Sequence, residues 1–454
     1  MFPRSIFIIC CLAWLQTGCR KKLEGPVASN IAGIDSLVDC ERLLNDYALF
    51  HEQPVSGELS ADNYYIREQI WSQVPVKEQN IYRWAADIFE GQGGFRDYNK
   101  PYMQTYTVNE ILKALPNIVY NATDQPKKDL LEGSAFFYRA QAHYNLLQLF
   151  ARPYNQSTAL TDTGIVLRLT PDITVFKRAG MQESYAQVIK DLMRALALLP
   201  QLPDAKNRYL PSQTAVWAFL ARVYLSMRDY DRAGFYADTC LQHYNYLLNF
   251  DDGNYAQPFT ESNPEVILQG MLNPFSRIIP GRLGNDAFVD SLLYRSYQPG
   301  DLRQRFFYRL AGNGKPLLQF NYTANLFCFG GLATDEVYLI RAECRARQGQ
   351  LQEAMNDLNY LLAHRFITGI FHPLPTGSAN VVLEQILTER RKELAFRGLR
   401  WTDLRRLNKE RPGSPIRRTI DRNTYSLLPN DLRYTFPIPP DALQGSEIVQ
   451  NSRD

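Results

Sequence analysis

Trp217, Ala221, Tyr224, Ala233, Ala237 and Cys240 recur, position for position, as Tyr338, Ala342, Arg345, Ala354, Leu358 and Leu361, every member displaced by the same 121 residues. Steps of three and four residues put each set on one helix face, and the small members let two helices approach closely. The sixteen residues from Trp217 to Ala233, matched from Tyr338 to Ala354, are the spacing of helix–turn–helix repeat units. Ser212, after Pro211, can cap the first helix; a break at Arg228 and Asp229 separates it from a second running to Tyr244. Gly349 ends the corresponding later helix, where a positive φ costs little. Because repeat units pack mainly on their neighbours, the 454 residues need not divide into two or three separate cores. The two hairpins are not tandem. About ninety residues rich in Gly, Pro and aromatics, 245–334, lie between them, far above the ordinary connection length, and such insertions are candidate functional loops.

Other segments carry the same helical period. A first helix is expected over 33–50, with Ile34, Leu37, Val38, Leu44, Tyr47 and Ala48 on its apolar face. Further helices are expected over 109–120, 127–150 and 182–199, with Pro200 and Pro203 closing the last. Between 51 and 101 the chain interleaves Tyr64, Tyr65, Trp71, Tyr82, Trp84, Phe89, Phe95 and Tyr98 with Gly, Asp, Asn and Pro, which suits structured loops better than long helices.

The N-terminus reads as an export signal: Arg4, an apolar run over 6–15, then Thr17, Gly18 and Cys19. The run is too short to cross a bilayer as a helix, and Cys19 is the expected mature N-terminus and lipid-attachment site. Gln16 stands where Leu is usual in a lipoprotein signal; an ordinary signal peptide is the alternative, and both export the chain. Beyond it no uncharged apolar stretch of about 18 residues follows, so the mature part is expected to be soluble apart from its anchor.

Composition narrows the function. A formal net charge of +3 does not call for nucleic acid or an anionic surface, which want a concentrated basic stripe. Cys40, Cys240, Cys328 and Cys344 form no C-x-x-C pair, and spacing does not decide between disulfides and buried thiols. His51, His143, His243, His364 and His372 lack metal-ligand spacing, so neither a metal nor another cofactor is expected. G-x-S-x-G, H-E-x-x-H and phosphate-loop patterns are absent from the sequence. Asp87 and Glu90 could supply a glycosidase's pair of carboxyls, but loop solvation explains them more simply, and no enzyme is expected.

Several stretches together resemble the SusD/RagB family of outer-membrane nutrient-binding lipoproteins. In ILTERRKELAFRGLRWTDLRRLNK, Glu389, Arg390, Glu393, Leu394, Phe396, Gly398, Arg400, Asp403, Leu404 and Arg405 match the family's C-terminal helix-turn motif. Arg397 departs from it, since the family commonly has Glu before that glycine, so one local ion pair is expected to be absent or rewired. In GSAFFYRAQAHYNLLQLFARPY, Arg139, Ala140, Tyr144, Leu147 and Phe150 match a repeat helix, and Pro437, Ile438, Pro439 and Asn451 match the closing segment. The charged residues of the C-terminal motif, at helical steps, are expected to pair with one another and with the adjoining hairpin and to hold the fold.

The resemblance implies a mainly α, SusD-like fold: four tetratricopeptide-like helix pairs and an irregular loop-rich ligand-binding lobe. After a signal over 1–18 it implies one domain over 19–454, with an N-terminal part to about 230 and a C-terminal part from about 255. It implies a lipid-anchored place on the outer membrane facing the exterior, and a SusC/RagA-like TonB-dependent transporter as partner. A glycan is the expected ligand, with a peptide or other organic nutrient as the alternative; a scaffold without ligand is the third reading. Recognition is expected in loops 71–102 and 254–322: Trp84, Phe89, Tyr98 and Tyr102 as an aromatic platform with Asp87, Arg96 and Asn99 as polar contacts, joined by Arg282, Asn285, Tyr294 and Tyr322.

Overall fold

The computed structural model describes residues 33–172, 176–252, 263–274, 276, 287–319, 322 and 327–453. Its longer helices are α1 (Leu37–Leu44), α2 (Arg96–Ala114), α3 (Gln125–Phe150), α4 (Met181–Leu198), α5 (Gln213–Met227), α6 (Tyr230–His243), α7 (Thr334–Arg347), α8 (Leu351–Ala363), α9 (Ala379–Glu393) and α10 (Arg400–Leu407). From α2 to α8 each helix packs on the next, and α9 packs on both α7 and α8. Among the described residues no helix is long and apolar enough to cross a membrane.

The repeat spacing does what its small residues allow. Ala221, Ala233, Ala237, Ala342 and Ala354 are all fully buried. At Gly234 an added Cβ would stand 3.1 Å from Cβ of Cys344, so α6 and α7 touch almost backbone to backbone. Ser212 caps α5 by accepting from the Ala215 N–H at 3.2 Å. The break follows at Arg228, with φ +62, and Asp229 caps α6; Gly349, with φ +80, lies just past α7. α9 and α10 form a further pair across a turn in which Phe396 and Gly398 both have positive φ, tied by Arg390 donating to Asp403 at 2.9 Å.

Two expected helices have different bounds. The first ends at Leu44, because the Asp46 carboxylate caps a separate turn, Tyr47–Phe50. α2 begins at Arg96, well before the expected 109, and carries Pro101 within it. Proline removes only its own N–H and acts mainly on the preceding turn, so one this near the start leaves the rest of the helix intact.

Among the described residues, ten short strands join the irregular parts in pairs. β1 (Glu52–Gln53) runs parallel to β4 (Met271–Leu272). β2 (Tyr64–Ile66) is antiparallel to β5 (Ala287–Val289), and β3 (Val266–Leu268) to β8 (Leu332–Ala333). β6 (Tyr308–Leu310) pairs with β7 (Pro316–Leu318), and β9 (Ile416–Ile420) with β10 (Asn423–Leu427) through a turn whose Asp421 and Arg422 both have positive φ.

Buried ion pairs tie the lobe to the helices. Arg303 donates to Asp301, Glu389 and Glu393 at 2.6–3.0 Å, and Arg365 bridges Glu393 to Glu265 at 2.8 and 2.7 Å. Arg406 pairs with Glu343 and Arg400 with Asp62, at 2.6 and 2.7 Å. Arg397 is rewired, pairing with Asp335 on α7. Arg405 departs from the expected pairing: it donates to the carbonyls of Gln148 and Ala151, where the C-terminal end of α3 presents unpaired oxygens and partial negative charge. Cys40, Cys240, Cys328 and Cys344 are all buried, and Cys40, Cys240 and Cys344 are free thiols.

Candidate functional site

Two carboxylates tie the segments of the loop-rich lobe together. Asp97, on the first turn of α2, accepts from the backbone N–H groups of Val55 and Ser56 at 2.9 and 2.7 Å and from the Ser56 hydroxyl at 2.6 Å. Its other oxygen takes Asn273 Nδ2 at 3.3 Å, joining the 51–60 loop to the 271–273 strand end. Burial raises the Asp97 carboxyl, and these donors draw it back. Glu52, on β1, receives Arg96 at 2.5 and 2.6 Å and stands 3.7 Å from Lys100.

The expected platform does not form a ligand face. Trp84, Phe89, Tyr98 and Tyr322 are only 1, 3, 5 and 1 % exposed. Trp84 donates its indole N–H to the Ser60 carbonyl at 3.0 Å and lies 4.6 Å from the Arg418 guanidinium, which also reaches over Tyr82. Phe89 packs edge-on to Phe95 at 5.5 Å, and Tyr98 edge-on to Phe150 at 4.9 Å. Short loops without regular hydrogen bonding need such rings as anchors, which is why aromatics crowd this stretch. The Tyr322 hydroxyl lies within hydrogen-bond reach of both the Glu265 and the Asp335 carboxylate inside the ion-pair web, with its one proton to share between them.

The remaining candidates are scattered. Tyr102 is half-buried and donates to the Val166 carbonyl at 3.2 Å, its ring at 61° to that of Tyr98, so the two cannot offer one plane. Asp87 caps its own turn by accepting from the N–H groups of Phe89 and Glu90 at 2.7 and 3.2 Å. Arg96 is committed to Glu52, Asn99 is half-buried on α2, and half-buried Tyr294 lies 5.7 Å from Tyr308. Arg282, Asn285 and Cys19 lie outside the described residues.

Two other aromatics keep part of a face in solvent. Tyr65, on β2 and alternating with buried Tyr64 and Ile66, is half-buried against Phe288 at 5.6 Å, with Lys315 Nζ 5.5 Å from its ring. Trp71, in the turn Glu68–Gln73, is half-buried 5.8 Å from Tyr82, and Ser72 and Gln73 beside it are exposed. Tyr65 faces Phe288 across the β2–β5 pair, and Trp71 follows β2 by five residues. Half exposure with a polar fringe is what a sugar or peptide contact needs, and the alternation along β2 is too short for the sequence to show it.

Two hollows lie elsewhere, on either side of the turn at Asn430, Asp431 and Leu432. One, of about 230 Å³, is lined by Arg152, Asn155, Asp162, Arg405, Lys409 and Tyr434 among others. The second, of about 670 Å³, is wider and is lined by Arg83, Trp84, Tyr425, Arg433 and Arg453 among others. Sequence reading missed both, because each is assembled from segments hundreds of residues apart; the one local clue was Arg405 and Lys409, one helical turn apart.

Comparison with known proteins gives these features a family. A family model described as starch-binding, associating with outer membrane, matches residues 27–225, and a second, described as the SusD family, matches 334–452. A SusD-like protein, P2, from Formosa agariphila is 25 % identical over 402 residues, covering 75 % of this chain and 76 % of its own. The crystal structure of a SusD superfamily protein from Bacteroides thetaiotaomicron superposes with a TM-score of 0.75 at 20 % identity, over 92 % of this chain and all of the other. A laminarin-binding SusD-like protein superposes with a TM-score of 0.67 at 17 % identity, over 91 % of this chain and 98 % of its own. The chain belongs to the SusD/RagB family.

Proposed function

We propose that the chain is a cell-surface binding lipoprotein that captures a glycan and passes it to a SusC-like TonB-dependent outer-membrane transporter. The observation that carries this reading is the pair of family matches at 27–225 and 334–452, the first to a starch-binding, outer-membrane-associating family. A relative of the same fold that binds laminarin supports a glycan as the class of ligand. Within the chain, Tyr65 and Trp71 offer partly exposed ring faces in the lobe, suited to the C–H surface of a sugar. Cys19 carries the lipid, and the helix array supplies the broad surface on which the transporter docks.

Calorimetry against a panel of oligosaccharides and peptides tests the ligand. Saturable binding of one glycan class is expected; binding of peptides alone would replace the glycan reading with its alternative. Purification from native membranes in mild detergent should recover a much larger transporter with the chain, and metabolic lipid labelling should be lost in Cys19→Ala. Label retained in that variant would refute the anchor.

A further inference from the structure

The smaller hollow gathers three cations in one place. Arg152, Arg405 and Lys409 all line it, and among the described residues none of the three forms an ion pair. Of the two carboxylates in its wall, Asp431 is held in a two-pronged bond by Arg433 at 2.9 and 2.6 Å. Asp162 alone is not ion-paired, and it accepts from the Thr158 hydroxyl at 2.5 Å. Elsewhere in the fold Arg303, Arg365, Arg397 and Arg406 each meet at least one carboxylate, while Arg418, like Arg405, is spent on backbone carbonyls, but it has no second and third cation gathered beside it in a hollow.

We propose that this hollow is a second ligand site, which takes the carboxylate or sulfate group of an acidic sugar. Arg405 is fully enclosed, its two terminal nitrogens are spent on the Gln148 and Ala151 carbonyls, and its Nε has no hydrogen-bond partner. Arg405 thus puts an uncompensated positive charge in the wall of the hollow, with no carboxylate paired to it. Arg152 and Lys409 are exposed at the rim, where their side chains can close on an anion without breaking an existing pair. Burial first, then the neighbouring guanidiniums of Arg228, Arg152 and Arg405, hold the Lys409 ammonium below its usual value, against the opposing pull of the Asp162 carboxylate.

The other wall groups suit a hydroxylated ring. Asn155 and the Tyr434 hydroxyl add neutral donors and acceptors, and 230 Å³ is below the roughly 300–1,000 Å³ of drug-sized sites, so one ring-sized group fits. That the anion is carried on a sugar rests on the glycan reading above; recognition of the anion does not.

The test uses the full mature chain in detergent and five probes: glucuronate, galactose 6-sulfate, glucose, inorganic sulfate and acetate. Calorimetry should give at least about tenfold tighter binding of the two acidic sugars than of glucose, weakening with added salt as rim charges are screened. The Arg152→Gln/Lys409→Gln double variant, which spares the structural bonds of Arg405, should lose about tenfold or more for both acids. A Lys113→Gln control, a solvent charge on α2, should keep wild-type affinity. Methyl-labelled lysine NMR should show the Lys409 amine titrating at higher pH when an acidic sugar is bound. Equal affinity for glucose and the acids, or unchanged acid binding in the double variant, would overturn the site. Glucuronate against galactose 6-sulfate identifies the acid group. If sulfate and acetate bind as tightly as the sugars and shift Lys409 alike, the anion site stands and the sugar part falls.

Discussion

The guanidinium of Arg397 meets the carboxylate of Asp335 at 2.5 Å, with both side chains buried and the Tyr322 and Phe329 rings within 4.5 and 4.9 Å of the cation. The family commonly places Glu where Arg397 stands. Restoring it should therefore damage this chain, since Arg397→Glu would set a second buried carboxylate against Asp335 and strand both. A loss on the order of 3–5 kcal/mol is expected, as for breaking a buried pair, and Asp335→Asn in the same molecule should recover part of it. Urea unfolding of the single and double variants measures both. A single variant as stable as wild type would mean the pair contributes nothing.

Glu58 gives the fold a pH dependence of defined sign. It is buried, accepting from Asn63 Nδ2 at 2.9 Å and from the Gly398 N–H at 3.0 Å, and burial pushes its carboxyl up to about 7 from an ordinary 4.5. Between those values the folded chain holds a proton that the unfolded chain has released, so stability falls as pH rises across that window. The fall is on the order of 3 kcal/mol. Glu58→Gln removes this slope. Its stability relative to wild type should improve by about that amount from pH 4.5 to above pH 7, and parallel unfolding curves would rule the assignment out.

Tyr98 and Trp71 separate an anchoring ring from a contact ring. Tyr98→Ala, in the cluster with Phe150, should cost roughly 3–5 kcal/mol of stability and leave the affinity of the folded fraction for glycan unchanged. Trp71→Ala should cost on the order of 1–2 kcal/mol and weaken glycan binding roughly threefold to tenfold, the worth of one stacked ring. Melting curves and titrations on both variants check this; the reverse pattern would return Tyr98 to the ligand face.

At Gly234, 3.1 Å from the Cys344 Cβ, the contact of α6 and α7 is too close to take a side chain without the helices shifting. Gly234→Leu should destabilise by about 1–3 kcal/mol through overpacking, despite the better helix propensity of Leu. Thermal unfolding that shows no loss would mean the two helices separate freely.

The helix pairs could be read from the chain because the repeated spacing of Trp217, Ala221 and Ala233 leaves little else that those residues can do. The burial of Trp84, Phe89 and Tyr98 could not, since an aromatic in an irregular loop has no period to say which way it points. In the sequence Tyr65 is only one more loop aromatic; its alternation with buried Tyr64 and Ile66 spans three residues, too few for a period to show. The start of α2 was hidden by Pro101, whose usual meaning holds only deeper in a helix. The cationic hollow was beyond reach, because Arg152, Lys409 and Asn430 meet only after folding.

Cys40, Cys240, Cys328 and Cys344 have consequences for where such a chain can work. All are buried, and Cys40, Cys240 and Cys344 are held as thiols by burial, so these three are not poised to form a thiolate. Guanidinium–carboxylate contacts and packed helices, rather than sulfur cross-links, close the distant segments on one another. Assembly of the described fold thus needs no thiol oxidant or isomerase, and anoxic or sulfide-rich surroundings have no bond within it to reduce.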